Sequence, residues 1–519
     1  MAFSMAWNEA AGGDSGADRP DEDAAGRVLA GFRDELYRCL TRRADALFCL
    51  ADAVLCEDRK VTDLARLSLV AEFGRGHGAL YDGLNAGRVE FARLRVAVAG
   101  LPLPAWPDGR IRLAADVSSW LRPDAQASGE RMFCYVKGRG RNAGQMIPGW
   151  PYSFVAALGP GGSSWTLPLD AARIGPDDDE TVVTAAQLRE VTARLIAAGH
   201  WKDGDPPVLV ALDAGYNASR LAWLLGDLPV MLVVRVRSDR VFYRPVPPKA
   251  PGTPGRQGRH GTPVSCADPA TWAGAQVSAT AGSARYGPLA VTAWHRVHQQ
   301  LTRQSSGWED HPGPLPVIEG TLIRLAAAPA AGYQDLEPMW LWSPDPQAGP
   351  GQVAVLWQAY LRRFDLEHTF RFIKSRLGWN KPLLRDPAAA DRWTWIIIAC
   401  YAQLYLARPL AAAIRLPWQR PLPAGALTPG RVRAGFRHAR ETAGTPARTA
   451  KPGKPGPGRP KGSKNKKKAP RQPVGKRSSR TPAAEKPKKR TINRLNGKLR
   501  AHSPTAKRTY RTEKRRKTP

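Results

Sequence analysis

The sequence predicts an α/β fold built on a mixed sheet, with an all-α segment before it and a basic, disordered tail after it. Three observations lead to this reading. From about Arg110, three strand-like stretches, a helical stretch and a further strand follow one another, the opening order of an α/β domain. Ahead of them, from about Gly26 to Leu101, apolar residues recur every three or four positions, as on a helix face. Behind them the charge changes character. The 519 residues hold 78 Lys+Arg and 45 Asp+Glu, a net +33, and Pro446 to Pro519 alone hold 27 basic and 2 acidic residues. The body is thus close to balanced, and a polyanion is the expected partner of the tail.

Taken in order, residues 1–25 carry acids and have neither a basic n-region nor an apolar h-region, so they read as a disordered N-terminus and not as a signal or transit peptide. Residues 26–105 read as an α-helical domain, the candidate for DNA-end recognition, although no helix-turn-helix is recognisable. Residues 106–245 form the first part of the α/β core. RIRLAA is a strand ending at Asp116, RMFCYVKGR is the next, and YSFVAALG pairs with SWTLPLD across Gly159-Pro160-Gly161-Gly162. The acidic run Asp177–Glu180 is the negative start of a capped helix. PVLVALDAGY is a strand ending at Asp213, and LPVMLVVRVRSD is another. Residues 246–350, with a Pro/Gly/basic loop and pieces such as TLIRLAA and MWLWS, read as a β-rich insertion. Helix resumes over residues 351–444, beginning with one run from Gln352 through Trp379. The longest apolar run, Trp393 to Ala407, is too short to span a bilayer and reads as a buried helix, so no membrane is expected. Six cysteines without a C-x-x-C pair or finger-like spacing suggest reduced thiols in a cytoplasmic protein. Residues 445–519 lack an apolar period that could offset the entropy of ordering.

The candidate chemistry centres on Glu367. Tyr360, Arg363, Glu367 and Lys374 fall within roughly 60° on one helical stripe, which places a single carboxylate among phosphate-seeking groups. A plain solvated face with Arg363–Glu367 and Glu367–Arg371 pairs is the alternative. Asp365, two residues away, points about 160° from Glu367 and cannot share its site. The pattern Y-x2-R-x3-E-x6-K resembles the signature of one large group of bacterial insertion-sequence transposases, the DDE recombinases with an RNase H-like core. Asp116 at the end of the first strand, and Asp213 in a DAGY stretch like the D-x-G-F/Y of that group, extend the resemblance over roughly Arg110 to Arg385. It implies an RNase H-like mixed sheet with a β-rich insertion before the last acid, and Asp116, Asp213 and Glu367 as catalytic, metal-binding residues. Asp116 would bind two Mg²⁺ ions and the other two acids one each, with Mn²⁺ able to substitute. Two ions about 4 Å apart suit phosphodiester hydrolysis and strand transfer, and hard cations take carboxylate oxygens. Tyr360, Arg363, Arg371 and Lys374 would bind DNA phosphates. Double-stranded DNA, at the element ends and the target, would be the substrate of an active dimer in the bacterial cytoplasm, associated with the nucleoid.

Other features admit two readings. Trp294, Trp340 and Trp342 could stack on a flipped base, but core packing is the better account of each. In GPGRPKGSKNKKKA, Arg459 either enters a minor groove in the manner of an AT-hook or belongs to a segment gripping phosphates without preference. Gly138, Gly140 and Ala143 satisfy G-x-G-x-x-A, yet MIPGWP follows in place of a helix. His295 and His298 read as surface or core histidines. The function expected is that of a transposase, with a non-catalytic DNA binder and a metal-dependent nuclease as rivals.

Overall fold

Burial along one strand shows how the layers are arranged. In Val208–Leu212, Val210 and Leu212 join the main hydrophobic core, while Leu209 and Ala211 join a second one on the opposite face. The strand is therefore covered on both sides, as its continuous apolar sequence requires. The computed structural model describes residues 22–138, 144–161, 164–249, 255–283, 287–304, 307–309, 311–327, 337–412, 418, 420, 426–450, 462–463 and 469–475.

The main-sheet strands are β1 (Arg112–Leu121), β2 (Arg131–Val136), β3 (Gln145–Leu158), β4 (Thr166–Arg173), β5 (Val208–Leu212), β6 (Val230–Val236), β7 (Val277–Ser283), β8 (Gly287–Val297), β9 (Gly320–Ala327), β10 (Met339–Ser343) and β11 (Val474–Gly475). Among the described residues they form one sheet in the order β7-β8-β9-β10-β6-β5-β1-β3-β2-β11, with β4 also paired to β3. Its centre, β4-β3-β1-β5-β6, has an antiparallel meander over β1, β3 and β4 and parallel ladders over β1, β5 and β6. This large mixed sheet is consistent with an RNase H-like core.

The β-rich residues 246–350 continue this sheet. β10 pairs antiparallel with β6, Trp342 opposite Val234, and β9, β8 and β7 follow outward. The free edge of β6 would otherwise leave its backbone groups unpaired. Trp294, Trp340 and Trp342 are each no more than 2 % exposed, and Trp294 and Trp340 stack at 5.7 Å, so all three are core residues.

The N-terminal helices α1 (Glu22–Cys39), α2 (Ala44–Cys56), α3 (His77–Ala86) and α4 (Phe91–Ala99) do not enclose a core of their own. They pack around a helix from the far end of the chain, Pro387–Leu406, which also lies against β4. That helix contains the apolar run from Trp393 to Leu406, with Ala407 as its C-cap, and is buried on nearly every side, as a helix apolar all round must be. No described helix is long and apolar enough to cross a membrane. The expected helical domain 26–105 is thus fused to the core, because α1 and α2 need the Pro387 helix to cover their apolar faces. It also starts earlier, at Glu22; the rest of the expected disordered N-terminus lies outside the described residues.

The tail also departs from expectation. The Arg448 backbone N–H donates to Asp45 Oδ1 at 3.0 Å, Gln472 N–H donates to the Gln126 carbonyl at 2.9 Å, and β11 pairs in parallel with the start of β2. Composition tests for an apolar face, but an exposed strand edge can order a segment through backbone hydrogen bonds alone. Arg459 lies outside the described residues.

Candidate active site

Asp116 is not at the end of its strand. β1 runs on to Leu121, paired with β3; what ends at Asp116 is the parallel ladder to β5, whose last pair is Ala115 with Leu212. Asp213 is the first residue after β5. The two acids therefore leave neighbouring parallel strands at the same level, and this register brings together residues far apart in the chain. Beyond Asp213, Asn217 caps a short helix, α6 (Ala218–Leu224), by accepting from Arg220 N–H. Before β5, Asp179 caps α5 (Glu180–Ala197), accepting from Thr181 and Val182, as the acidic run suggested.

The run from Gln352 is two helices. α7 (Pro350–Arg362) opens with proline in its first turn and buries Val353, Leu356 and Tyr360 in the core formed with Leu209, Ala211 and Val233. α8 (Phe364–Ser375) follows, and Arg363 is the joint. There Arg363 N–H donates to the Tyr360 carbonyl and Leu366 N–H to the Arg363 carbonyl, both at 3.0 Å, a three-residue spacing that tightens the turn. Arg363 keeps helical dihedrals, φ −53° and ψ −30°, so the stripe survives the joint. At its far end α8 is stopped by Gly378, φ +71°, where a Cβ would come within 2.6 Å of Val61. Trp379 then packs against Trp120 of β1 and Phe154 of β3, which fixes α8 over those strands.

Arg363, only 8 % exposed, stands among the acids. Its Nη1 donates to Asp116 Oδ2 at 2.9 Å, its Nη2 donates to Glu367 Oε1 at 3.0 Å, and Nη2 lies 3.9 Å from Asp213 Oδ1. Tyr360 Oη donates to Asp213 Oδ1 at 3.4 Å, and Val117 N–H donates to Asp116 Oδ1 at 2.8 Å. The carboxylates stay accessible, at 23 % exposure for Asp116, 40 % for Asp213 and 42 % for Glu367. Burial pushes the Asp116 carboxyl up to about 6; Arg363 pulls it down and the negative Asp213 adds to the rise. Burial opposes the charge on Arg363, yet Asp116 and its other neighbours hold that guanidinium above its ordinary value. The Tyr360 hydroxyl is raised to about 12, chiefly by burial. Burial lowers Lys374, against the pull of Asp116, and its Nζ lies 5.6 Å from the Trp379 ring centre. Arg371 lies exposed on α8.

Asp365 turns away to pair with Arg362. His295 Nε2 meets the Ala348 carbonyl and His298 Nε2 meets His260 Nδ1, both in the β-rich part of the sheet. Gly138 follows β2 and leads toward β3, a hairpin and not a strand-to-helix turn; Gly140 and Ala143 lie outside the described residues. Among the described residues no three His, Cys, Asp or Glu side chains stand ready around one metal position, since a guanidinium separates the acids. As a donor set, three partly exposed carboxylates sharing one cation nevertheless suit hard divalent ions. Sequence reasoning missed a cavity of about 350 Å³ beside α8, lined by Ser164, His368, Arg371, Ser375, Arg376 and Thr428 among others. Its walls come from four segments distant in the chain, and only the helical spacing of His368, Arg371 and Ser375 could have signalled it.

A family model described as a DDE superfamily endonuclease matches residues 35–303, an interval that contains Asp116 and Asp213 and ends before Glu367. No curated protein matches the chain.

Proposed function

We propose, given that the chain belongs to the DDE superfamily endonuclease family, that it is a DNA transposase that binds the ends of its own insertion sequence, cleaves the DNA strand there and joins it to a target. The observation that supports this most is the gathering of Asp116, Asp213 and Glu367 around Arg363. Asp116, Asp213 and Glu367 would hold two Mg²⁺ ions, or Mn²⁺ in their place. Bound there, such ions supply activation of the attacking hydroxyl and stabilisation of the leaving oxygen.

The chain's own residues do the rest. Arg363 screens the mutual repulsion of the three carboxylates and sits where it can turn toward a phosphate once they are otherwise neutralised. Tyr360 orients Asp213 through its hydroxyl. Lys374, largely desolvated near Asp116, supplies a positive charge beside the reacting strand, and Arg371 offers a further phosphate contact from the exposed side of α8. Two element ends must be held together for joining, which calls for a dimer in the DNA complex.

The test is an excision assay in cells, with a marker between the DNA segments that flank the coding region. Asp116→Asn, Asp213→Asn and Glu367→Gln should each abolish excision while DNA binding persists. Excision retained by any of them refutes the site. A strand-joining product separates a transposase from a nuclease that only cuts.

A further inference from the structure

Next to the acid cluster, on the same helix, lies the cavity beside α8. At about 100° per residue, His368, Arg371 and Ser375 lie within roughly 60° of one another on α8, next to the stripe that carries Glu367. Arg376, the last-turn cap of α8, closes one end. Ser164, just before β4, and Thr428, which caps the short helix Pro429–Ala434 by accepting from Arg431 N–H, line the same cavity. The polar part of its lining is basic and hydroxylic, with no carboxylate.

The charge balance points to an occupant. Arginines near this site are otherwise engaged: Arg362 with Asp365, Arg363 with the acid cluster, Arg433 with the carbonyls of Val54 and Arg59. Among the described residues, Arg371 and Arg376 have no carboxylate partner, although both belong to the helix that carries Glu367. Two such guanidiniums beside serine and threonine hydroxyls match an oxyanion with several acceptor oxygens. A DNA strand passing Glu367 carries such groups at regular intervals, and the cavity lies about one helical turn from that carboxylate.

We infer that this cavity is a cradle for a backbone phosphate of the DNA strand adjacent to the one held at the acid cluster, with Arg371 as its main contact, supported by Arg376 and Ser375. The inference rests on the reading of the chain as a DNA-cutting enzyme. The cradle fixes the register of DNA along α8 and carries no sequence information.

The experiment is a salt titration of the full-length protein binding a fluorescent 40-base-pair duplex taken from the DNA flanking the coding region. Arg371→Gln should weaken binding several-fold and reduce the slope of log affinity against log salt by about 1, the value for one lost phosphate contact. Arg371→Lys, which keeps the charge, should keep the slope. Ser375→Asp, which puts a carboxylate into the cradle, should weaken binding at least as much as Arg371→Gln. Arg189→Gln, on α5 and paired with Asp227, should change neither quantity. The cradle is overturned if Arg371→Gln and Ser375→Asp leave affinity and slope at the native values. It is equally overturned if affinity falls with no change in slope. These readouts are independent of excision, so loss of the cradle would leave the acid cluster standing, and excision by the acid variants would sink the cluster without touching the titration.

Discussion

Two arginine–carboxylate clusters in this molecule use the same chemistry to opposite ends. In the helical region Asp52, 2 % exposed, is shared by Arg33 and Arg440, and Arg33 also reaches Gln403 and the Gly444 carbonyl. One acid serves two cations, and the set ties α1, α2, the Pro387 helix and Phe436–Ala443 together. Asp170 is likewise shared, by Arg95 and Arg194. Around Arg363 the ratio is reversed. Three carboxylates share one guanidinium, and two of them are two-fifths exposed. An accessible surplus of carboxylate oxygens is the kind of donor set that hard divalent cations take. On the proposed function, the difference separates a cluster that staples helices from one left accessible to cations.

The comparison predicts a clean division between activity and stability. The largest effect is expected from the open cluster. Asp116→Asn, Asp213→Asn or Glu367→Gln should lower strand cleavage by at least about 10³-fold, roughly 4 kcal/mol of barrier, in a cleavage assay with Mg²⁺, while the variants remain folded. The sealed cluster should behave in the opposite way: Asp52→Ala leaves the buried Arg33 and the half-buried Arg440 without their acid and should cost about 3–5 kcal/mol of stability in urea unfolding. An Asp52→Ala protein as stable as the native one would erase the distinction.

A smaller effect depends on pH. The folded-state value of Asp116, about 6, lies above the ordinary carboxylate value of 3.8. Its contribution to stability is thus fully present below about pH 4 and lost as pH rises through 6. In the absence of divalent metal, Asp116→Asn should therefore stabilise the protein at pH 7.5, by about 1–3 kcal/mol, and the gain should vanish toward pH 4. A destabilised variant at pH 7.5 would show that Arg363 compensates Asp116 fully. The smallest effect belongs to Tyr360→Phe, which removes one long hydrogen bond to Asp213 and should slow cleavage about 2- to 10-fold.

How much was legible varies by element. The Glu367 stripe was readable because Tyr360, Arg363 and Glu367 lie within two helical turns, where spacing alone fixes direction; the joint at Arg363 was not, since it leaves the residue's dihedrals helical. The caps Asp179 and the apolar run after Trp393 were readable for the same local reason. The extent of β1 was not legible, because pairing with β3 continues past Asp116 through Leu121 while only the parallel ladder to β5 stops there. The β-rich residues 246–350 read as a separate insertion because a sequence shows strands but not which edge they join. The docking of residues 472–475 on β2 left no side-chain pattern at all, because the bonds are main-chain ones.

By itself, then, the sequence determined the local matters: which segments are helical or extended, where charge accumulates, and which short motif sets one acid among basic and phenolic side chains. These follow from periodicity and composition over neighbouring residues. Only the tertiary structure decided that Asp116 and Asp213 meet Glu367 at one arginine, that the N-terminal helices close around the Pro387–Leu406 helix, and that Ser164 and Thr428 line one cavity with Arg371. Each of these depends on the register of a parallel ladder or the packing of distant apolar faces, and such contacts depend on the whole chain finding one arrangement that buries its core.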